Sequence, residues 1–267
     1  MKYLFLAATV LFFACNTTKH STTGAEAAMP KNISLNGKLF SSLFQQRAGE
    51  YRALCLQGYN AARMRIDSYV AQSSKPKALI TDIDETILDN SAYAVHQAFL
   101  GKEYIAADWY DWTAKGAADT MPGAAAFLRF AQSKNMEIFY VTNRETKERA
   151  GTLSNLQRFN LPNADDAHLL TRRTSSSKED RRVDVMQNHE LVLLMGDNLA
   201  DLSALFDKKS EAERKANVDA LSSEFGRKFI VFPNPNYGDW ESSLYKYNYK
   251  LTQAQKDSVM RSVLRTY

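Results

Sequence analysis

The chain has 267 residues, of which 45% are hydrophobic and 24% charged, with 34 basic against 30 acidic side chains and a formal net charge of +4. This is globular composition, enough for one good core with a small accessory layer. The excess of positive charge is slight and scattered rather than blocked, which argues against a partner of nucleic-acid polymer type.

The N-terminus reads MKYLFLAATVLFFAC: Lys2, then twelve apolar or small residues, then Cys15. That run is too short to span a bilayer but suits the hydrophobic segment of an export signal. Ala14-Cys15 resembles a bacterial lipoprotein processing site, in which the cysteine is lipidated and becomes the new N-terminus. Phe12 stands where such sites usually carry leucine, which leaves a cleaved signal or an uncleaved anchor as the alternatives. The expected organisation is a signal peptide over 1–14, a small, polar, flexible tether over 15–40, and a folded domain over 41–267. With Cys15 lipidated, Cys55 has no partner for an intramolecular disulfide, and its amphipathic setting predicts a buried, inert thiol.

From about Ser41 to Gln72 apolar residues recur at three and four, which predicts a helix ended by Pro76. KALITD (77–82) follows as a short buried strand, and MEIFYVT (136–142), LVLLMGD (191–197) and RKFIVFP (227–233) repeat the pattern. Between them lie the helical stretches PGAAAFLRFAQSK, RETKERAGTLSNLQRF, KEDRRVDVMQN and the segment from Asp201 to Phe206. Pro122 suits an early helical position, and Ser176-Ser177-Lys178-Glu179 has the spacing of a capping box. Strands alternating with helices predict an α/β fold with a parallel, doubly wound sheet. Such sheets bind ligands beyond the carboxyl ends of their strands. The polar residues there are Asp82 and Asp84, then Thr142-Asn143-Arg144, then Gly196-Asp197-Asn198 with Asp201.

Three acids in four positions, Asp82, Asp84 and Glu85, repel one another at a buried strand end unless something holds them. A lone D-x-D is more often a solvated loop. A calcium loop of EF-hand type fails by count, because Ile87 replaces its glycine and Tyr93 its closing glutamate. A hard divalent cation explains more: Mg²⁺ takes few protein carboxylates, and Asp82 and Asp197 can reach one ion from adjacent strand ends. A carboxylate can act as a covalent nucleophile, and a second one two residues on can protonate the leaving alkoxide and then activate water. Thr142 offers a hydroxyl and amide to phosphoryl oxygens, and Lys178 adds positive charge.

Strand-DxDxT, strand-TN, a lysine, and GDN-x-x-D, in that order, resemble the haloacid-dehalogenase superfamily. ITDIDETILDNSAY and LLMGDNLADL are similar almost position for position to the two signatures of bacterial class C non-specific acid phosphatases, the lipoprotein-e and 5′-nucleotidase family. QRAGEYRALCLQGYNAA, DWYDWTAKGAADTMPGAAAFL, FYVTNR and PNPNYGDWE extend the likeness from about residue 41 to the C-terminus. The resemblance implies a superfamily core with a small, mainly helical cap including about 91–120. It implies Asp82 as nucleophile and metal ligand, and Asp84 as general acid/base lending its backbone carbonyl to the ion. Thr142, Asn143 and Lys178 would bind phosphate, Asp197 would ligate Mg²⁺, and Asp201 would support the metal's water. The family is rich in lysine where RRTSSSKEDRR has one, so Arg181 or Arg182 could share the role of Lys178, although a solvated helix face is the simpler expectation for both. Trp109 and Tyr237 are candidates for an aromatic substrate pocket; Trp109 and Trp112, three apart, could equally pack the cap onto the core.

The four histidines, His20, His96, His168 and His189, are far apart in sequence and none has the setting of a histidine phosphatase. The implied function is Mg²⁺-dependent hydrolysis of nucleoside monophosphates and other small phosphomonoesters by an outer-membrane lipoprotein, membrane-bound through its lipid anchor; the family also implies an acidic optimum and a homodimer. Rival readings are a narrow sugar or cofactor phosphatase and a non-catalytic haem- or ligand-binding lipoprotein. A dehalogenase is disfavoured by Asp84, and a binding-only protein has no need of Asp82, Asp84, Thr142, Lys178 and Asp197 together.

Overall fold

The computed structural model describes residues 32–267. The expected signal peptide, the lipidation site Cys15, His20 and the tether up to residue 31 lie outside the described residues. The strands are β1 (Lys77–Thr81), β2 (Leu88–Asp89), β3 (Asp119–Thr120), β4 (Glu137–Val141), β5 (Leu169–Leu170), β6 (Glu190–Gly196) and β7 (Phe229–Val231). The α-helices are α1 (Ile33–Arg47), α2 (Gly49–Ser68), α3 (Ser91–Phe99), α4 (Ala106–Ala114), α5 (Ala124–Ser133), α6 (Arg149–Arg158), α7 (Glu179–Asn188), α8 (Glu211–Ala220), α9 (Asp239–Leu244) and α10 (Gln253–Val263).

Five parallel strands make one sheet in the order β5-β4-β1-β6-β7. The chain winds from β1 through β4 to β5, then crosses back to β6 and β7, so the winding reverses beside β1. That reversal opens a crevice between the ends of β1 and β6, the expected place for a ligand. Both faces of the sheet are buried, and the strands alternate between them. Leu79, Ile138, Tyr140 and Met195 pack under α2 and α5, while Ala78, Ile80, Phe139, Val141 and Leu194 pack on the other side. The fifth strand, β5, was not expected; two residues are too few to carry a periodicity.

The predicted helix over 41–72 is two helices. Ala48 adopts extended backbone between them, so α2 can follow the core while α1 crosses elsewhere. In α2, Tyr51, Cys55, Tyr59, Ala62 and Ile66 form one buried stripe at helical spacing. Cys55 is free and buried as expected, and burial pushes its thiol up to about 11. The Tyr59 ring lies between Phe127 and Phe232, with centroids 5.4 and 4.5 Å away. Gly123, at φ 95°, brings the start of α5 against that ring, so Pro122 sits in the turn before α5 rather than inside it.

The tether boundary at residue 40 is corrected, because 33–40 belong to α1. Polar side chains hold this helix to a distant loop: Lys38 Nζ donates to the Asn236 carbonyl (2.6 Å) and Glu241 (2.9 Å), and Gln45 Oε1 accepts from Asn236 Nδ2 (2.8 Å). The region expected to form a cap, about 91–120, holds α3, α4 and β3, and β3 pairs antiparallel with β2 just before that region.

At the opposite end of the sheet, Glu137 lies between two histidines, 2.9 Å from His168 Nε2 and 2.9 Å from His189 Nε2. Burial pulls His168 down, but Asp165 and Glu137 outweigh it and raise the imidazole above 6.5. Burial likewise pushes Glu137 up, but the two histidines hold it below 4.5. The raised histidine contributes stability below its ordinary pKa and loses it as pH rises through the folded value; the lowered glutamate contributes above its ordinary pKa and loses it on acidification. The cluster therefore stabilises most between 4.5 and 6.5. The expected result is a Tm gap between wild type and His168→Gln that is widest near pH 6 and shrinks by pH 8. A gap constant across that range in thermal melts would contradict this assignment.

Candidate active site

The site is built on the crevice between β1 and β6. Asp82 directly follows β1, and its N–H donates to the Met195 carbonyl of β6 at 2.9 Å, which fixes the two strand ends together. The chain then turns tightly, with the Ile83 carbonyl accepting from the N–H groups of Ile87 and Leu88 at 2.8 Å each. Asp197 follows β6. Its Oδ2 accepts from Asn234 Nδ2 at 2.7 Å. A single turn of 3₁₀-helix then brings Asp201 back, with Oδ2 accepting from the Asn198 N–H at 3.0 Å. Gly196 makes this return possible, because a Cβ there would overlap the Asp201 side chain.

One carboxylate oxygen from each of Asp82, Asp197 and Asp201 lies within 4.8 Å of the others. Lys178, 3% exposed, donates from Nζ to Asp82 Oδ1 and lies 2.7 Å from Asp201 Oδ1. Burial alone would pull this ammonium down; Asp201 and Asp82 outweigh it and hold it charged. Burial pushes Asp82 up to about 7, opposed by Lys178 and reinforced by Asp201 and Asp84. Asp197 is pushed well above the carboxylate range by burial and by Asp201 and Asp82. More negative charge is gathered here than one lysine can balance. An all-oxygen donor set of this kind fits a hard divalent cation. Asp201, expected to act from behind the metal's water, belongs to the same cluster as the two expected ligands.

Lys178 occupies the N-cap of α7, and the expected capping box does not form. Ser177 Oγ instead donates to Asp207 at 2.6 Å and accepts from the Glu179 N–H at 3.4 Å. The solvated helix face expected for Arg181 and Arg182 is also corrected, because they are 0% and 2% exposed. Arg181 donates to the Thr142 carbonyl (2.6 Å), Asn143 Oδ1 (3.1 Å) and the Ser177 carbonyl (2.8 Å). Arg182 donates to the carbonyls of Ala200 (3.0 Å) and Asp201 (2.7 Å). Buried carbonyls at strand ends and tight turns need donors, and these guanidinium groups supply them. Among the described residues, the cation hydrogen-bonded to Asp82 is Lys178.

Thr142 is buried after β4, with Oγ1 accepting from the Arg144 N–H at 3.1 Å, while Asn143 is exposed. Arg144 carries more than its place in the sequence revealed. It is buried, and its guanidinium grips Asp84, with Nη2 at 2.7 Å and Nε at 3.1 Å from Oδ1. Glu85 and Asn90 complete this corner, and neither had an assigned role; the available signal was their polar character, one inside DIDET (82–86) and the other four residues after it.

A cavity of about 400 Å³ opens over Asp82, Asp84, Lys178, Asp197 and Asp201, with Asn143 in its wall, whereas Thr142 lies beneath the surface and does not line it. Trp109 and Tyr237 both line it. Trp109 meets Tyr93 edge to face, centroids 5.1 Å apart, and carries the Arg144 guanidinium 5.6 Å over its ring. Tyr237 is 39% exposed, yet its hydroxyl turns inward and donates to Glu85. Trp112 does not line the cavity: its Nε1 donates to Asn90 Oδ1 at 2.8 Å and its ring packs on the core. His168 and His189 lie at the far end of the sheet, and His96 is exposed on α3.

Residues 10–240 match the family model described as HAD superfamily, subfamily IIIB (acid phosphatase). Among solved structures, the chain is similar to the class C acid phosphatase from Bacillus anthracis, at 40% identity and a TM-score of 0.84, over 88% of this chain and 100% of that one. A second structure of the Bacillus anthracis enzyme, with tungstate bound, matches at 39% identity and a TM-score of 0.84, over 88% of this chain and 99% of that one.

Proposed function

Because the chain belongs to the acid phosphatases of HAD subfamily IIIB and is a phosphomonoester hydrolase, we propose that it works through Asp82 with Mg²⁺ on nucleoside monophosphates and related small esters. The observation that carries this reading is the carboxylate trio of buried Asp82 and Asp201 with half-buried Asp197, joined by Lys178 and set at the sheet's crevice beneath a cavity. Asp82 and Asp197, with the Asp84 carbonyl, would hold the ion, which screens phosphate charge so that an anionic ester can approach a carboxylate.

The rest falls to the chain's own groups. Lys178 and the Thr142 corner bind phosphoryl oxygens. An Asp82 oxygen forms a bond to phosphorus as the ester P–O bond breaks, and the bonding pair leaves on the ester oxygen, which takes a proton from Asp84. Asp84, now ionised, takes a proton from a water that attacks the aspartyl-phosphate. The P–O bond to Asp82 breaks, phosphate leaves, and both carboxyl groups return to their starting states. Trp109 and Tyr237 offer ring faces to an aromatic leaving group such as a nucleobase. The N-terminal pattern supports lipid attachment through Cys15 at the outer membrane; a homodimer fits the same reading.

The test is phosphate release by the purified protein from a panel of 5′- and 3′-nucleotides, sugar phosphates and aryl phosphates. The expected result is turnover of nucleotides with Mg²⁺, loss with EDTA, and recovery on adding Mg²⁺ back. Turnover untouched by exhaustive chelation would remove the metal from the reaction. Turnover of one sugar ester alone would replace the nucleotide reading by a narrow specificity.

A further inference from the structure

The two oxygens of Asp84 are not equivalent. Oδ1 accepts from Arg144 Nη2 (2.7 Å), Arg144 Nε (3.1 Å) and Asn90 Nδ2 (2.8 Å), whereas among the described residues Oδ2 meets only Arg144 Nε, at 3.2 Å. A carboxylate oxygen has two lone pairs, so Oδ1 is filled and Oδ2 is the oxygen free to carry a proton. Asn90 is itself held in one orientation. Its Oδ1 accepts from Trp112 Nε1, and its Nδ2 also reaches Glu85 Oε2 at 3.2 Å, which settles which end of the amide faces the acids.

Glu85 closes the arrangement. It is 1% exposed, has a left-handed backbone (φ 57°), and accepts from the Asn90 N–H at 2.7 Å and from the Tyr237 hydroxyl. A glutamate persists in that backbone region only where its surroundings fix it. With left-handed backbone at 85, the Glu85 side chain meets Asn90 and Tyr237 while Asp84 meets Arg144 and Asn90.

We propose that Glu85 and Asn90 are positioning residues for Asp84: together with Arg144 they load Oδ1 with donors, keep Oδ2 as the proton-bearing oxygen, and join Tyr237 in the cavity wall to the proton donor. The inference rests on the reading of Asp84 as general acid. It gives Glu85 a task, and it makes leaving-group contact at Tyr237 part of the same hydrogen-bonded unit as protonation.

Leaving-group dependence separates this from a merely structural role. A nitrophenolate departs without a proton, whereas an alkoxide needs one, so a misplaced general acid harms alkyl esters selectively. Glu85→Gln, Asn90→Leu and the milder Tyr237→Phe are compared with wild type and Asp84→Asn, with Mg²⁺ present, on p-nitrophenyl phosphate and glycerol phosphate. The quantity read is kcat/KM, which reports phosphoryl transfer to the enzyme rather than its later hydrolysis. The expected loss with the alkyl ester is on the order of 10²-fold for Asn90→Leu, the scale of misplacing a reacting group by about 1 Å. It should exceed the loss with the aryl ester by about tenfold or more, and Asp84→Asn should show the same bias more strongly. Equal losses on both esters in variants that melt like wild type, or no loss on either, would overturn the proposal. If wild type hydrolyses neither ester, the function itself is wrong; if wild type and Asp84→Asn behave as expected and the other variants do not, only the positioning role falls.

Discussion

Asp82→Asn is expected to lower kcat on every phosphomonoester by on the order of 10⁴-fold or more, the scale on which loss of a nucleophile acts. The amide fills the same space, keeps the backbone tie to Met195, and cannot attack phosphorus. The fold should not suffer. Asp82, Asp197 and Asp201 crowd their oxygens within 4.8 Å, with Lys178 as the cation bonded among them. Removing one negative charge relieves that repulsion, so in EDTA the variant should melt at or above the wild-type temperature. With Mg²⁺ the order should reverse, because wild type gains a bound ion that the variant holds less well. A variant that keeps a tenth of wild-type kcat, or that melts well below wild type in EDTA, would contradict the assignment.

Lys178→Met is expected to damage both stability and rate. It leaves Asp82 and Asp201 buried without their cation, and stranding buried charge in this way costs about 3–5 kcal/mol. For a domain of this size that is a fall in Tm of roughly 6–20 °C, measured in EDTA. Mg²⁺ should recover part of the loss by supplying positive charge to the same oxygens. The rate should remain depressed by roughly 10²–10³-fold even when Mg²⁺ restores the fold, because the charge facing the phosphoryl oxygens is gone. Thermal melts in EDTA and in Mg²⁺, paired with steady-state kinetics, separate the two effects. Unchanged melting in EDTA would mean that Lys178 does not hold the carboxylates.

The central sheet was legible because β1, β4 and β6 are buried on both faces and read as continuous apolar runs. The acids at their ends were legible because polar residues in that position have few structural uses. What could not be read depends on pairings between distant positions. Arg144 and Asp84 are 60 residues apart, and Tyr237 and Glu85 are 152 apart. Arg181 and Arg182 look solvated in sequence because most of their distant acceptors are carbonyls, Thr142 on one side and Ala200 and Asp201 on the other, and carbonyls leave no mark on composition. The break at Ala48 was hidden by helical periodicity continuing across it, and the start of α1, residues 33–40, looked like tether because its Lys38 bonds to a loop near residue 236.

The most direct test of the account is to trap the phosphorylated protein. Enzyme mixed with phosphate-labelled nucleotide and Mg²⁺ is quenched in acid within the first turnover, and the peptide carrying Asp82 is analysed by mass spectrometry with and without hydroxylamine. The expected result is phosphate on Asp82, released by hydroxylamine as an acyl phosphate should be, and absent from Asp82→Asn. Phosphate on another side chain, or rapid product release with no phosphoprotein at any quench time, would contradict it.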